Sequence, residues 1–424
     1  MSMTPNWFAA VMGTGIVAVV AASLPTEVPG VRGVSEVFWL LAAALLLTLA
    51  TALGRHWFRR RDQALADVRS HTMFPFYGAV SMAMSTVGAA TGSAGHHRLG
   101  ELSVTVAAAL WSIGTIVGVV TYTVMAGRLL QPYRVTPTPS WLLPVVPPMV
   151  SASGGAALVR HLPEGAPQIT LLVFCYALFA LALTAAVAVT VVVGRQLLRD
   201  GLPGTALVPT LWIPLGVIGQ SVAAINLLGA ASGHTWLHTV GVVYGTTVGA
   251  GGVLALATVI TVTARAFHRG LDFTPAWWSF TFPVGTCALG ANALGSAMHS
   301  TVIVGAATML WCALLLIWSV VVFRTLRYLH RLLVERALTG FDRSSRLQPR
   351  RGAAGDGHRV DSSTVQVFSG LQAAPTDRTD HVHHIGVGYL PDPGDELAQR
   401  DEGHARHPHL RVLVGFTHVD DGGA

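Results

Sequence analysis

The chain has 424 residues, of which 52% are hydrophobic and only 11% are charged, with a formal net charge of +6 at pH 7. Soluble domains carry about 25% charged residues, so this composition excludes an ordinary soluble protein and predicts a polytopic membrane protein. The three cysteines, Cys175, Cys287 and Cys312, lie in apolar runs. They match neither a disulfide framework nor a metal motif, so we predict no metal site and no cofactor.

Ten apolar runs along the chain are long enough to cross about 30 Å of hydrocarbon. Five of them begin with aromatic residues and contain a proline or flexible glycines. We call these five the openers, and they cover residues 7–24, 73–92, 141–159, 209–230 and 277–297. A plainer partner run, rich in Ala, Val and Leu, follows each opener, at residues 34–54, 103–126, 169–193, 236–263 and 301–323. The sequence therefore predicts an all-α protein with ten transmembrane helices in five hairpins.

Prolines recur near the starts of four openers at a nearly constant interval. Pro75, Pro144, Pro214 and Pro283 follow one another every 69 or 70 residues. The first opener has no matching proline but carries Gly13 and Gly15. A proline inside a helix kinks or breaks it, and in a membrane the freed backbone groups need neighbouring helices or a water-filled cavity. We therefore expect five kinked openers in a pseudo-five-fold arrangement around a central pore, with the partners outside.

Small polar side chains follow the prolines at similar distances. Ser151 and Ser221 lie seven residues after the first proline of their units, while Ser81 and Gln220 lie six residues after theirs. Polar groups are costly toward lipid, so these four side chains are predicted to line the pore. No Asp, Glu, Lys or Arg lies well inside an opener. This favours a low-affinity conduit over a tightly coupled pump.

Arginine placement predicts the orientation in the membrane. Fifteen arginines follow the partner runs, whereas the opposite loops contain only Arg32, Arg98 and Arg160. Positive charge is retained in the cytoplasm, so both termini should be cytoplasmic. We divide the chain into a transmembrane domain, residues 1–340, and a polar, His-containing tail, residues 341–424, which is predicted to be cytoplasmic and mostly disordered.

Phe282 lies directly before Pro283, where a bulky ring can project into a pore and close it. The same ring can equally well pack between helices, since the residues before the other prolines, Phe74, Leu143 and Ile213, are also apolar. An alternative function also stays open. The chain can be a membrane-embedded regulator or scaffold with a vestigial pore, whose tail binds a partner or a metal.

Three openers carry a family resemblance, namely NWFAAVMGTGIV, FPFYGAVSMAMSTVG and WWSFTFPVGTCALG. They resemble the tellurite-resistance/dicarboxylate transporter family, which includes bacterial tellurite-resistance proteins, fungal malate permeases, sulfite efflux pumps and plant slow anion channels. The resemblance covers roughly residues 5–335. It implies a central pore between five hairpins, a homotrimer in the inner membrane, and transport of small anions such as malate, other C4-dicarboxylates or sulfite. It also implies that Phe282 gates the pore. No nucleophile–base or metal-ligand set lies together in the sequence, so we do not expect an enzyme, and we expect no nucleic acid among the partners.

Overall fold

The computed structural model describes residues 4–25, 30–131 and 136–346, with residues 336–346 as helical backbone only. All regular elements in this part of the chain are helices. The α-helices are α1 (Phe8–Ser23), α2 (Val31–Arg59), α3 (Arg61–Arg69), α4 (Tyr77–Ser93), α5 (His96–Leu99), α6 (Glu101–Leu129), α7 (Pro147–Val159), α8 (Ala166–Asp200), α9 (Ile213–Ser232), α10 (Thr235–His268), α11 (Thr281–Ala297) and α12 (Thr301–Arg346). The openers correspond to α1, α4, α7, α9 and α11, and the partners to α2, α6, α8, α10 and α12.

Seven helices of the described chain are long and apolar enough to cross a membrane, which makes this a multi-pass membrane protein. The other three openers, α4, α7 and α11, are not among these seven, and their α-helices have 17, 13 and 17 residues. A spanning helix needs about 20 residues. The ten spanning helices and their pseudo-five-fold arrangement therefore stay predictions.

Each opener begins with a 3-10 helix, and the prolines lie at or near the change from 3-10 to α-helix. The 3-10 helices are Pro5–Trp7, Phe74–Phe76, Pro139–Leu142, Thr205–Trp212 and Pro275–Phe280. Pro75 lies inside one of them, and Pro144 lies in the turn before α7. Pro214 and Pro283 lie in the first turns of α9 and α11. The two first-turn prolines give up an N–H that has no helical partner anyway, and a kink at any of the four prolines stays a prediction.

The openers contact one another in a closed cycle. Helix α1 contacts α4, α4 contacts α7, α7 contacts α9, α9 contacts α11, and α11 returns to α1. Each opener also contacts the partner that follows it. The openers are more buried than the partners. In the most apolar stretch of each helix, 78% of the residues are buried within Thr205–Ser232 and 67% within Pro5–Ser23, against 6% to 33% in the partners.

Glycines allow the openers to approach at backbone distance. A methyl group added at Gly78 would collide with the carbonyl oxygen of Leu143 on the way into α7. A methyl group at Gly216 of α9 would lie 3.2 Å from the Cα of Pro283. At Gly285 of α11 it would lie 2.5 Å from Cγ1 of Ile16. Larger residues at these positions would force the helices apart.

Tryptophans on three partner helices donate hydrogen bonds to openers. Trp39 of α2 donates its indole N–H to Thr91 Oγ1 of α4 over 2.9 Å, and Trp111 of α6 donates to the Ser151 carbonyl of α7 over 2.7 Å. The partner helix α12 is bonded to the first opener in the same way, since Trp318 donates to Thr14 Oγ1 of α1 over 3.0 Å. These bonds satisfy donors that would be costly to leave unpaired in a membrane.

Candidate functional site

One cavity is lined by residues from all five openers. Its volume is about 40 Å³. The lining is almost entirely apolar, and among its residues only Trp278 and Ser279 carry polar side-chain groups. The lining residues are Ala9, Met12, Phe76, Met82, Leu142, Leu143, Val146, Ile213, Gly216, Val217, Trp278, Ser279, Phe282 and Pro283. The cavity thus lies where the first turns of the five openers meet.

Phe282 is part of this cavity wall and is only 5% exposed. It is the second residue of α11, so the start of that helix places its side chain between the openers. The matching residues Leu143 and Ile213 line the same cavity. The fourth equivalent, Phe74, does not, because its ring lies 4.1 Å below the guanidinium of Arg128. Three of the four residues that precede the recurring prolines therefore surround one space.

Of the residues predicted to line or kink a pore, only Pro283 joins Phe282 in the cavity wall. The two glycines of the first opener lie in helix contacts. A methyl group at Gly13 would collide with Thr281 of α11, and one at Gly15 would lie 3.0 Å from Thr86 of α4. Their lack of a side chain serves close packing.

The four polar candidates do not line this cavity. Ser81 faces the partner helix α6, where its hydroxyl donates to the Gly114 carbonyl over 2.6 Å. Gln220 donates through Nε2 to Ser153 Oγ of α7 over 2.8 Å, and so joins two openers. The Ser221 hydroxyl donates to the Ile218 carbonyl of its own helix. The Ser151 hydroxyl is fully buried and has no hydrogen-bond partner in the described chain. A polar side chain in a membrane helix can pair with another helix instead of facing water.

Trp278, Ser279 and the methionines Met12 and Met82 are cavity residues that the sequence did not single out. The paired tryptophans Trp277 and Trp278 were a visible signal, but the sequence does not show which of the two indoles faces inward. In the structure, Trp277 points away and donates to the Asp272 carbonyl over 3.1 Å. Trp278 lines the cavity.

Metal ligands are not gathered anywhere in the described residues: no three His, Cys, Asp or Glu side chains lie close enough to hold an ion. The clustered histidines of the predicted tail, such as His381, His383 and His384, lie outside the described residues. The possibility that the tail binds a metal or a partner is therefore untested. Helix α12 continues to Arg346, six residues into the range assigned to that tail.

Comparison with known proteins places the chain in a family. A family model described as SLAC1, voltage-dependent anion channel, matches residues 2–326. An uncharacterized transporter of Methanocaldococcus jannaschii is 24% identical over 334 residues, which cover 76% of this chain and 92% of that protein. A sulfite efflux pump of Trichophyton rubrum is 25% identical over 316 residues, which cover 70% of this chain and 82% of the pump. A sulfite efflux pump of Arthroderma benhamiae is 24% identical, with the same coverage. The match spans both the openers and their partners, and the chain belongs to the SLAC1 voltage-dependent anion channel family, the family of transporters and channels that its openers resemble.

Proposed function

We propose that this chain moves small anions, with sulfite or C4-dicarboxylates such as malate as the leading substrates, through a pore between the five openers. The observation that carries this proposal is a cavity to which all five openers contribute. Membership of an anion channel family and similarity to proteins named sulfite efflux pumps support it. The apolar helices of the described chain provide the membrane context.

The arrangement of this pore is part of the proposal. Ten helices span the membrane as five hairpins in pseudo-five-fold order, and the cycle of opener contacts supports that order. Counted with their 3-10 helices, the three short openers cover residues 74–93, 139–159 and 275–297, which reaches the length of about 20 residues that a span requires. We further propose a homotrimer in the inner membrane with both termini in the cytoplasm.

Phe282 closes the pore in this proposal. An ion that enters an apolar constriction loses its hydration shell, and an uncompensated buried charge is very costly. A narrow apolar constriction therefore stops ions without any charged barrier. The rings and aliphatic side chains around the cavity, with Phe282, Ile213 and Leu143 among them, form such a constriction. Anions pass when the Phe282 ring moves aside.

Replacing Phe282 with Ala tests the gate. Purified protein in liposomes should carry sulfite, malate, nitrate or chloride faster after this change, because the truncation removes the ring from the constriction. Phe280→Ala is a matched control. Phe280 is also buried, but its ring packs against Trp212 and Trp277 and does not line the cavity. Flux that stays at the level of the unchanged protein for every anion would refute the gate.

A further inference from the structure

Trp278 places an unpaired hydrogen-bond donor beside the proposed gate. The residue is 4% exposed and lines the cavity. Its indole nitrogen is buried and has no hydrogen-bond partner in the described chain. Buried donors are nearly always paired, and an unpaired one has a free-energy cost that calls for an explanation.

Other tryptophans of this protein show that their N–H groups normally find partners. The acceptors are hydroxyl groups in some cases and main-chain carbonyls in others. Six indoles are paired in this way, those of Trp39, Trp111, Trp212, Trp277, Trp311 and Trp318. Trp278 is unlike them, although it belongs to the same closely packed set of helices. Among these seven indoles, the one that lines the cavity is the one without a partner in the described chain.

The chemistry of this donor suits an anion. An indole N–H donates and has no acceptor lone pair, so it can hydrogen-bond to an anion but not to a cation. A hydrogen bond to an ionised acceptor is roughly twice as strong as one between neutral groups, and low polarity strengthens it further. The remaining cavity wall is apolar apart from Ser279, so no charged side chain in it competes for the ion.

The position of Trp278 also suits this role. It precedes Phe282 by four residues, about one helical turn, so both side chains belong to the same end of the same opener. The other edge of its ring lies close to α1, since a methyl group at Gly13 would lie 3.2 Å from Cε3 of Trp278. A ring held on one side keeps its donor in place, and a donor fixed in advance binds without an ordering cost.

We propose that the indole N–H of Trp278 binds the partly dehydrated anion in the cavity once the ring of Phe282 has moved aside. The ligand class is a small oxyanion, sulfite or a carboxylate, whose oxygen accepts this bond. The inference rests on the proposed function, because it assigns a binding group to the same pore. It adds the source of selectivity that an apolar gate alone does not supply.

The test uses the full chain with Phe282→Ala, in which the pore is open. In that background Trp278→Phe removes the donor and keeps an aromatic ring. We expect the sulfite concentration at half-maximal flux to rise about tenfold, the size of effect that a hydrogen bond to a charged group produces. Nitrate, a weaker acceptor, should be affected less. Trp277→Phe in the same background is the control, since its N–H is paired outside the cavity, and its half-maximal concentration should not change.

A second replacement keeps the shape of the ring. Benzothienylalanine at position 278 exchanges the N–H for sulfur in a bicyclic ring of the same size, so a shift with both replacements supports the inference. If neither replacement changes the half-maximal concentration or the ratio of sulfite to nitrate flux, the inference is wrong while the pore stands. If the Phe282→Ala protein carries no anion at all, the proposed function itself fails.

Discussion

Gly13 of α1 lies against Thr281 of α11, and this contact joins the first opener to the last. The Thr281 hydroxyl is held by its own bond to the Trp278 carbonyl, 2.8 Å away, so it cannot easily give way. Gly13→Ala should therefore lower the stability by about 1–3 kcal/mol through overpacking. Thermal unfolding in detergent measures this. Gly249→Ala is the control, because nothing lies within 4 Å of a methyl group there. Equal unfolding temperatures for the two variants would contradict the prediction.

Replacing Ser81 with Ala tests whether this residue serves helix packing or lines the pore. The hydroxyl donates to the Gly114 carbonyl of α6, so its loss should cost about 1 kcal/mol of stability and leave anion flux unchanged. Unfolding temperature and liposome flux, measured on the same preparation, give both quantities. Ser93→Ala, whose exposed hydroxyl bonds only within its own helix, serves as the control for stability. A change in anion selectivity without a loss of stability would support the original prediction that Ser81 lines the pore.

Ile213 and Phe74 occupy equivalent places in their repeats but have different surroundings. Ile213 lines the cavity beside Phe282, whereas Phe74 lies under Arg128. In the Phe282→Ala background, Ile213→Ala should raise anion flux further, because it widens the same constriction. Phe74→Ala should leave flux unchanged and lower the stability instead. Flux assays in liposomes compare the two variants directly, and a larger gain from Phe74→Ala would show that the constriction lies elsewhere.

Removing residues 347–424 tests whether the tail is needed for transport. All cavity residues precede this segment, and α12 ends at Arg346. We therefore expect the shortened chain with Phe282→Ala to carry anions as fast as the full-length variant. Loss of flux from a shortened protein that still unfolds cooperatively would favour the regulatory alternative. A partner or metal retained only by the full-length chain would favour it too.

The repeat of prolines was enough to locate the openers, since each recurring proline lies within or just after a 3-10 helix that begins one. It was not enough to show what each proline does. A spacing of 69 or 70 residues marks equivalent positions, but it does not distinguish a bend within a helix from the start of one. Pro283 proved to be a first-turn residue, and its neighbour Phe282 a cavity residue.

The polar candidates show what could not be predicted from the sequence. Ser81 lies six residues after Pro75, and this spacing defines a helix face but not the neighbour that the face meets. Its acceptor, the Gly114 carbonyl, belongs to a different helix. Trp278 was missed for the opposite reason. Adjacent indoles point in different directions, and only the packed structure shows that Trp277 has a partner while Trp278 has none among the described residues.

The close approach of the openers has a consequence for the speed and trigger of opening. Gly78 and Gly216 already hold neighbouring openers at backbone distance, and Gly285 lies against the Ile16 side chain, so the openers cannot move closer together. Moving them apart would leave voids that forfeit packing contacts. Movement of one aromatic ring avoids both difficulties, and side-chain rotations are faster than collective helix motions. We therefore expect brief, rapid openings in electrical recordings, and little response to stretching of the membrane, which acts on helix spacing.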